Sequence, residues 1–166
     1  MGLAQDIPQD TDLAIAYFKI ASEKKNPDAT YKLGDIYGND KWGLKDKELS
    51  IYYYSLAVQY IVGLDWRSAS NLLYEEELQA YPSLCFALSR ELGKDGGLFT
   101  NTSLSYQFLI LAKIGYQNEL ANGFGMYQKA YDGVVKLMAD PQYDEVRDYL
   151  DNEGLIIEEY GDKKNF

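Results

Sequence analysis

Histidine is absent from this chain of 166 residues, cysteine occurs once, and proline four times. Without histidine there is no Ser-His-Asp triad, no Cys-His dyad, no histidine-ligated zinc and no imidazole acid–base catalysis. The lone cysteine, Cys85, forms no intrachain disulfide. Its setting in Leu84-Cys85-Phe86-Ala87-Leu88 is that of a small buried apolar residue rather than a nucleophile. Few prolines leave room for long helices, because proline ends them. No apolar run approaches the ~18 residues of a membrane-spanning helix, so direct membrane insertion is excluded. The first residues lack the basic and then apolar stretch of a signal peptide. Basic residues number 16 against 26 acidic ones, a net charge of −10. That charge repels polyanions and argues against nucleic acid and anionic lipid as partners. Residues 140–166 hold nine acids and three bases. This tail reads first as a solvated acidic end and second as a docking face for a basic partner.

What the chain does have is one helix-sized pattern written three times. Asp12-Leu13-Ala14-Ile15-Ala16-Tyr17-Phe18-Lys19-Ile20-Ala21 recurs from Glu48 to Ala57 and again from Ser103 to Ala112, at steps of 36 and 55 residues. Recurrence at that scale marks a stacked helical repeat, an architecture that builds extended binding surfaces. A second track, Leu33-Gly34, aligns at the same steps with Ala69-Ser70 and Phe124-Gly125. Its small residue lets a neighbouring helix approach closely. Both tracks lengthen by 19 residues in the third copy, which places an insertion between Ser70 and Leu104. Tyr81-Pro82 followed by Ser83 to Gly93 predicts an inserted helix with its own start and stop signals.

Periodicity predicts the other helices. Residues 11–24 carry an apolar stripe behind N-cap candidates Asp10, Thr11 and Asp12. A second helix starts at Asn26 or Pro27 and runs to about Gly38. Residues 39–46 are a loop, and a third helix runs from about Lys47 to Val62. Residues 117–132 form another. After Asp140-Pro141, a last amphipathic helix is defined by Tyr143, Val146, Tyr149 and Leu150. Residues 161–166 are expected to fray.

The repeat unit resembles the Sel-one-like repeat family, a relative of the tetratricopeptide repeats. The family unit reads Ala-x-x-x-Leu-Gly-x-x-Tyr, then a glycine-rich loop ending in Asp, then a helix with an aromatic pair and two small residues. Here Ala29 to Tyr37, Gly43-Leu44-Lys45-Asp46 and Tyr53-Tyr54-Ser55-Leu56-Ala57 carry it, within about residues 6–60. Later units depart: Ser70 stands for the glycine, and Leu73 and Gln128 for the tyrosine. Ile7-Pro8-Gln9-Asp10 resembles the end of the family loop, so the chain is expected to open inside a repeat. That fits a piece of a longer array or an end capped by a lone helix.

The remaining motifs are read as structural. Gly123-Phe124-Gly125 and Gly93-Lys94 lack the strand and the Ser/Thr of a phosphate loop. Glu75-Glu76-Glu77 and Tyr143-Asp144-Glu145 lack the alternating acids of a calcium loop and read as solvated faces. Asn101-Thr102-Ser103 is a glycosylation sequon, but a helix cap is preferred. No cofactor, metal or catalytic residue is assigned. Of sixteen tyrosines, Tyr17, Tyr37, Tyr53 and Tyr54 are assigned to the core, and Tyr31 and Tyr74 to a binding groove.

The resemblance implies an all-α, right-handed α/α solenoid of stacked helical hairpins with one inserted helix. It would be a single domain over residues 1–160, with about three units, an insertion near 76–100 and a tail at 161–166. It also implies a non-enzymatic protein-interaction module, an adaptor or scaffold, holding a peptide or protein partner on its concave helical surface. The helices bearing the Leu-Gly motif would line that surface with Tyr31, Asp35 and Asn39, then Arg67, Asn71 and Tyr74, then Asn122, Met126 and Lys129. Two alternatives stay open: a hydrolase of the kind reported for some family members, and a structural segment of a larger protein.

Overall fold

The computed structural model describes residues 2–69, 71–94 and 100–152, with side chains from residue 10 onward. Among these residues there are seven α-helices and no strand. The chain divides into two compact units, Met1–Ala69 and Ser70–Phe166. The expected tail at 161–166 lies outside the described residues.

The first unit holds α1 (Gly2–Glu23), α2 (Pro27–Gly38) and α3 (Lys47–Val62). Asn26 starts α2: its Oδ1 accepts from the Ala29 N–H at 3.0 Å, and Pro27 occupies the first turn, where no N–H is needed. Asp46 starts α3 in the same way, accepting from Leu49 N–H at 3.1 Å. Between them Asp40–Trp42 forms one turn of 3-10 helix. Ile15 from α1 meets Leu33 and Ile36 of α2 in a small core, with Phe18, Tyr37 and Tyr53 packed around it. Leu33 is fully buried, which stabilises by about 1.5–3 kcal/mol for a side chain of that size. α2 and α3 form a close hairpin. Gly34 faces the Tyr54 ring so tightly that a Cβ there would sit 2.4 Å from Cδ1. The small residue of the Leu-Gly motif therefore does allow close approach.

Helix α1 differs from its expected bounds. It begins at Gly2, so Ile7 to Asp10 is helix rather than loop, and Asp10, Thr11 and Asp12 do not cap it. The buried stripe of α1 is Thr11, Ile15 and Ser22. The stripe begins at Thr11, where the helix was expected to start, but α1 itself begins nine residues earlier, at Gly2. Tyr17, assigned to the core, is 63% exposed. It stands 36 residues before Tyr53, whose ring stacks on Tyr37 of α2 at 5.8 Å. No helix of the first unit covers the equivalent face of α1. Ala21 is half-buried for the same reason, whereas Ala57 and Ala112 are fully buried. Tyr54 is buried, and Tyr37 and Tyr53 are half-buried against their neighbours.

The second unit holds α4 (Pro82–Leu92), α5 (Thr102–Ala121), α6 (Gln128–Met138) and α7 (Asp144–Asn152). Its α4–α5 hairpin copies the α2–α3 hairpin at a step of 55 residues. Asn101 caps α5 from Leu104 N–H at 3.0 Å, as Asp46 caps α3. Asn101 N–H bonds to Leu92 O at 2.9 Å, as Asp46 N–H bonds to Tyr37 O at 2.8 Å. Ser105 Oγ donates to Ser89 O at 2.6 Å, as Ser50 Oγ donates to Gly34 O at 2.8 Å.

This equivalence corrects the repeat alignment. The counterpart of Leu33-Gly34 is Leu88-Ser89, not Ala69-Ser70. The helix over 82–92 is a repeat helix, not the insertion, and the added residues lie in the stretch between α3 and α4. Near Ala69 only the single turn Trp66–Ser68 is helical. Beyond it the backbone donors turn to side chains: Leu72 N–H to Gln107 Oε1 at 2.6 Å and Leu73 N–H to Asn71 Oδ1 at 2.8 Å. Donors used this way cannot propagate a helix.

The single helix expected over 117–132 is broken. Asn122 N–H returns to Asn118 O, Phe124 N–H to Glu119 O, and Gly123 takes φ 93. A left-handed residue at that place ends α5. After a 3-10 turn at Gly125–Tyr127, α6 begins. Gly125 has open space where a Cβ would stand, so it performs no close approach. That role falls to Gly115, whose added Cβ would lie 2.4 Å from Gln79 O. In the last helix Tyr143 is buried just ahead of α7 and Leu150 within it, but Tyr149 is 62% exposed on the outer face.

Candidate functional site

The first unit contains a cleft of about 420 Å³ between α1 and α2, closed at one end by the 3-10 turn. Thr11, Ala14 and Phe18 come from α1, Lys32, Asp35, Ile36 and Asn39 from α2, and Lys41 and Trp42 from the turn. Phe18, Ile36 and Trp42 make it apolar, and the polar groups stand around them. The α2 side follows from helical spacing, since residues 32, 35, 36 and 39 share one face. The turn is fixed locally. Asn39 Oδ1 accepts from Lys41 N–H at 2.9 Å, and its Nδ2 donates to Asp35 O at 3.1 Å. Lys41 Nζ lies 5.2 Å from the centre of the Trp42 ring, within cation–π range. Lys45 pairs with Asp40 at 3.7 Å on the surface.

Asp35 is anchored from behind. Tyr54 Oη donates to its Oδ1 at 2.7 Å. Burial, and then the adjacent Asp35 charge, push the Tyr54 hydroxyl well above its ordinary range. It therefore stays protonated and holds the carboxylate in place. Lys32, Lys41 and the charged Asp35 carboxylate all line the cleft.

Of the nine expected groove residues, Asp35 and Asn39 come together in this cleft. Tyr31 lies one turn earlier on α2, half-buried with its ring 5.9 Å from Tyr54. Arg67, in the 3-10 turn Trp66–Ser68, and Asn71 and Tyr74 are not on an α-helix, contrary to expectation. Arg67 bonds to Asp65 at 3.1 Å and lies over the Trp66 ring. Asp65 is held below the usual carboxylate range, first by the Arg67 backbone N–H and then by its guanidinium. Asn71 caps its own turn, and Tyr74 is 62% exposed. Asn122 and Met126 sit in the α5–α6 connection and Lys129 in the first turn of α6, all exposed. The sequence reading missed Phe18, Lys32, Lys41 and Trp42. Lys32 was legible from its spacing to Asp35 and Asn39; Lys41 and Trp42 lay in a segment read as loop.

Three side chains elsewhere bear on chemistry. Cys85 is fully buried, its Sγ donates to Leu78 O at 3.4 Å, and burial pushes its thiol up, so it is not a poised nucleophile. Asn101 uses its Oδ1 to cap α5, as the preferred reading of that sequon required. Among the described residues no group of three or more acidic or cysteine side chains is placed to hold a metal ion. No described helix is long and apolar enough to cross a membrane.

Residues 27–59, which span α2 and α3, match the Sel1 repeat family, and residues 1–26, which contain α1, match it again. Residues 1–59 carry Sel1 repeats. Such repeats generally serve as protein-interaction modules and are typically non-enzymatic. No curated protein and no solved structure matches the chain. The family match ends at residue 59, yet the α4–α5 hairpin reproduces the hydrogen bonds of the Sel1 hairpin at 27–59.

Proposed function

We propose that this Sel1-repeat chain is a non-enzymatic interaction module that holds a peptide or protein segment in the cleft between α1 and α2. The observation that carries the reading is the cleft itself. It combines an apolar lining from Phe18, Ile36 and Trp42 with an amide and two lysines. Such a mixture suits a partner that offers both side-chain bulk and polar groups. Asp35 and Asn39 orient the occupant, and Tyr31 extends the contact along α2. Arg67, Asn71, Tyr74, Asn122, Met126 and Lys129 remain candidates for secondary contacts outside the cleft. The hydrolase alternative gains nothing from the geometry, since the one thiol is buried and histidine is absent.

The test is affinity capture with the intact chain, followed by a binding isotherm with each purified partner. Trp42→Ala, with Asn39→Arg as a second variant, should weaken binding at least tenfold while circular dichroism and thermal melting stay close to wild type. Equal binding by wild type and both variants would move the site off the cleft. Turnover of a captured small-molecule substrate would instead favour the enzyme reading.

A further inference from the structure

The step that relates the α4–α5 hairpin to α2–α3 also relates Tyr31, Asp35 and Asn39 to Phe86, Arg90 and Lys94, and there the charge reverses. Phe86 and Arg90 lie one turn apart on α4, and Lys94 stands just past its end, as Asn39 does after α2. Where Asp35 is bonded to Tyr54, the second hairpin has arginine at the first position and Leu109 at the second. The Arg90 guanidinium instead lies over the Phe86 ring, 4.3 Å from its centre. Beside Phe86 stands α6: a Cβ on Gly133 would lie 3.4 Å from Phe86 Cζ. Lys129 and Lys136 share the Gly133 face of α6 by helical spacing, and both are exposed. Lys94 N–H donates to Gln142 Oε1 at 2.8 Å, which brings the end of α4 to the turn that follows α6. Six basic residues of the second unit are described, and four of them, Arg90, Lys94, Lys129 and Lys136, stand along this seam. The other two are Lys113, half-buried on α5, and Arg147, paired with Asp144 at 2.8 Å. Among the described residues none of the four is in an ion pair. The one acid of α4, Glu91, is half-buried, and the one acid of α6, Asp132, accepts from Gln128 Nε2 at 2.9 Å.

We propose that the seam between α4 and α6 is a docking surface for an acidic peptide segment of a partner protein, distinct from the cleft of the first unit. Charge complementarity names the occupant. Four cations gathered on a chain of net charge −10 favour a segment bearing several Asp or Glu side chains. Arg90 is the specific contact. Its guanidinium is oriented by the Phe86 ring, its N–H edge is exposed, and that fork matches a carboxylate through two parallel hydrogen bonds. Holding the arginine in place beforehand lowers the entropy lost when the partner arrives. The three lysines are point charges on flexible stems, so they attract and steer the segment without fixing its geometry. The neighbouring floor adds no negative charge. Tyr116 Oη lies 2.9 Å from Ser83 Oγ, and the Tyr127 ring is 5.6 Å from that of Tyr116. Burial raises the Tyr116 hydroxyl, against smaller opposing effects of the Ser83 bond and the Arg90 charge, so it stays protonated. A long polyanion such as nucleic acid would extend past the seam onto the acidic remainder of the chain, which repels it. A short acidic peptide would not.

The probe is a short fluorescein-labelled peptide that alternates glutamate and serine, titrated into the full chain at low salt and read by fluorescence anisotropy. Its glutamine analogue should bind at least tenfold more weakly, and the affinity of the glutamate peptide should fall as salt is raised. Arg90→Glu should weaken binding at least tenfold. Arg90→Lys should weaken it at least threefold, because an ammonium group does not present the fork. Lys129→Glu combined with Lys136→Glu should also cost at least tenfold; both positions are exposed, so this variant keeps the test open if Arg90→Glu disturbs α4 by circular dichroism. Lys24→Glu makes the same kind of charge change at an exposed place on the first unit and should leave binding within twofold of wild type. Trp42→Ala should leave it unchanged. No binding at millimolar peptide would overturn the proposal, as would equal binding of the glutamine analogue, equal binding by the double lysine variant, or an equal loss from Lys24→Glu. Tighter binding of a single-stranded DNA oligonucleotide than of the peptide would overturn it as well. Loss of the peptide with Trp42→Ala, and not with Arg90→Glu, would place it in the cleft and sink the seam while leaving the interaction module standing.

Discussion

Replacing Gly34 by alanine separates two physical effects of opposite sign. Alanine is the better helix former by about 0.8–1 kcal/mol in a helix interior, so local propensity alone makes Gly34→Ala stabilising. Packing opposes this. The new Cβ would lie 2.4 and 2.5 Å from two carbons of the Tyr54 ring, against an optimal carbon–carbon separation of about 3.5–4.0 Å. A gap of about 1 Å has to open. The ring cannot easily swing aside, because its hydroxyl is bonded to Asp35 at 2.7 Å and its face meets Tyr31. If α2 retreats instead, the buried bond from Ser50 Oγ to Gly34 O, 2.8 Å long, is lost. Overpacking costs about 1–3 kcal/mol and the lost hydrogen bond about 1 kcal/mol. Set against the propensity gain, the net expectation is destabilisation by about 1–3 kcal/mol. Urea unfolding followed by tryptophan fluorescence measures it cleanly, since both tryptophans, Trp42 and Trp66, lie in the first unit. The 55-residue equivalence adds a rescue. Position 54 corresponds to Leu109 and position 34 to Ser89. Gly34→Ser combined with Tyr54→Leu should therefore be more stable than the sum of the single changes. A midpoint for Gly34→Ala equal to or above wild type would refute the close approach.

Four further outcomes are expected. Tyr54 is raised above its ordinary value in the folded state, so its contribution is complete below pH 10 and is lost as pH rises beyond that, when only the unfolded chain gives up the proton. Tyr54→Phe should therefore reduce the alkaline loss of stability measured by urea titration between pH 9 and 11, by up to about 1.4 kcal/mol per pH unit above 10; an unchanged pH slope would count against the buried hydroxyl. Trp66→Phe removes the indole donor that bonds to Ser55 Oγ at 2.6 Å in the core, and should cost about 1–3 kcal/mol by thermal melting; a loss under 0.5 kcal/mol would mean the bond is idle. Ser105→Ala removes a hydroxyl that meets both Ser89 O and Tyr143 Oη, so calorimetry should show a loss of about 1–3 kcal/mol, while Tyr17→Ser on the exposed face of α1 should stay within about 0.5 kcal/mol of wild type.

The parts of the fold legible in the sequence are those where local chemistry and repeat pattern agree. Asn26-Pro27 and Asp46 announce helix starts by their capping groups, and the structure uses them so. Leu33-Gly34 announces a close crossing, and Gly34 makes one. The reading failed where a step of 36 was imposed on a chain whose second hairpin is displaced by 55. Ala69-Ser70 satisfied the arithmetic, but the caps near it, Asp65 and Asn71, start only single turns. Leu88-Ser89 satisfied the step from α3 to α5 and stood ahead of a capping Asn101, so the signal was present. The same slip placed Arg67, Asn71 and Tyr74 on an α-helix that the structure does not have there. Burial of α1 was misjudged for a different reason. Sequence gives the side chains that could be covered, but only the coordinates show that no helix of the first unit covers Tyr17.

The α1 side of the cleft differs from its counterpart on α3 in a way that bears on how a partner would be held. Ser50 and Tyr54 direct hydroxyls at the α2 side of their hairpin, and each is satisfied there, by Gly34 O and by the Asp35 carboxylate. Buried hydroxyls of that kind make a contact demanding, because a misplaced neighbour leaves a donor unmet at a cost of about 1–3 kcal/mol. At the same two places α1 has Ala14 and Phe18, which present no donor. An occupant of the cleft settling on them strips no hydroxyl of water and can slide or leave without stranding one. The α2–α3 hairpin is thus locked by polar bonds that Ala14 and Phe18 cannot supply on α1. Selectivity has to come from the rim, where Lys32 and Lys41 reward one charge pattern over another. Exposed ion pairs contribute only about 0.2–1 kcal/mol each. The cleft proposed for a partner therefore implies a reversible grip with modest discrimination per contact, and tight binding would require contacts beyond the cleft.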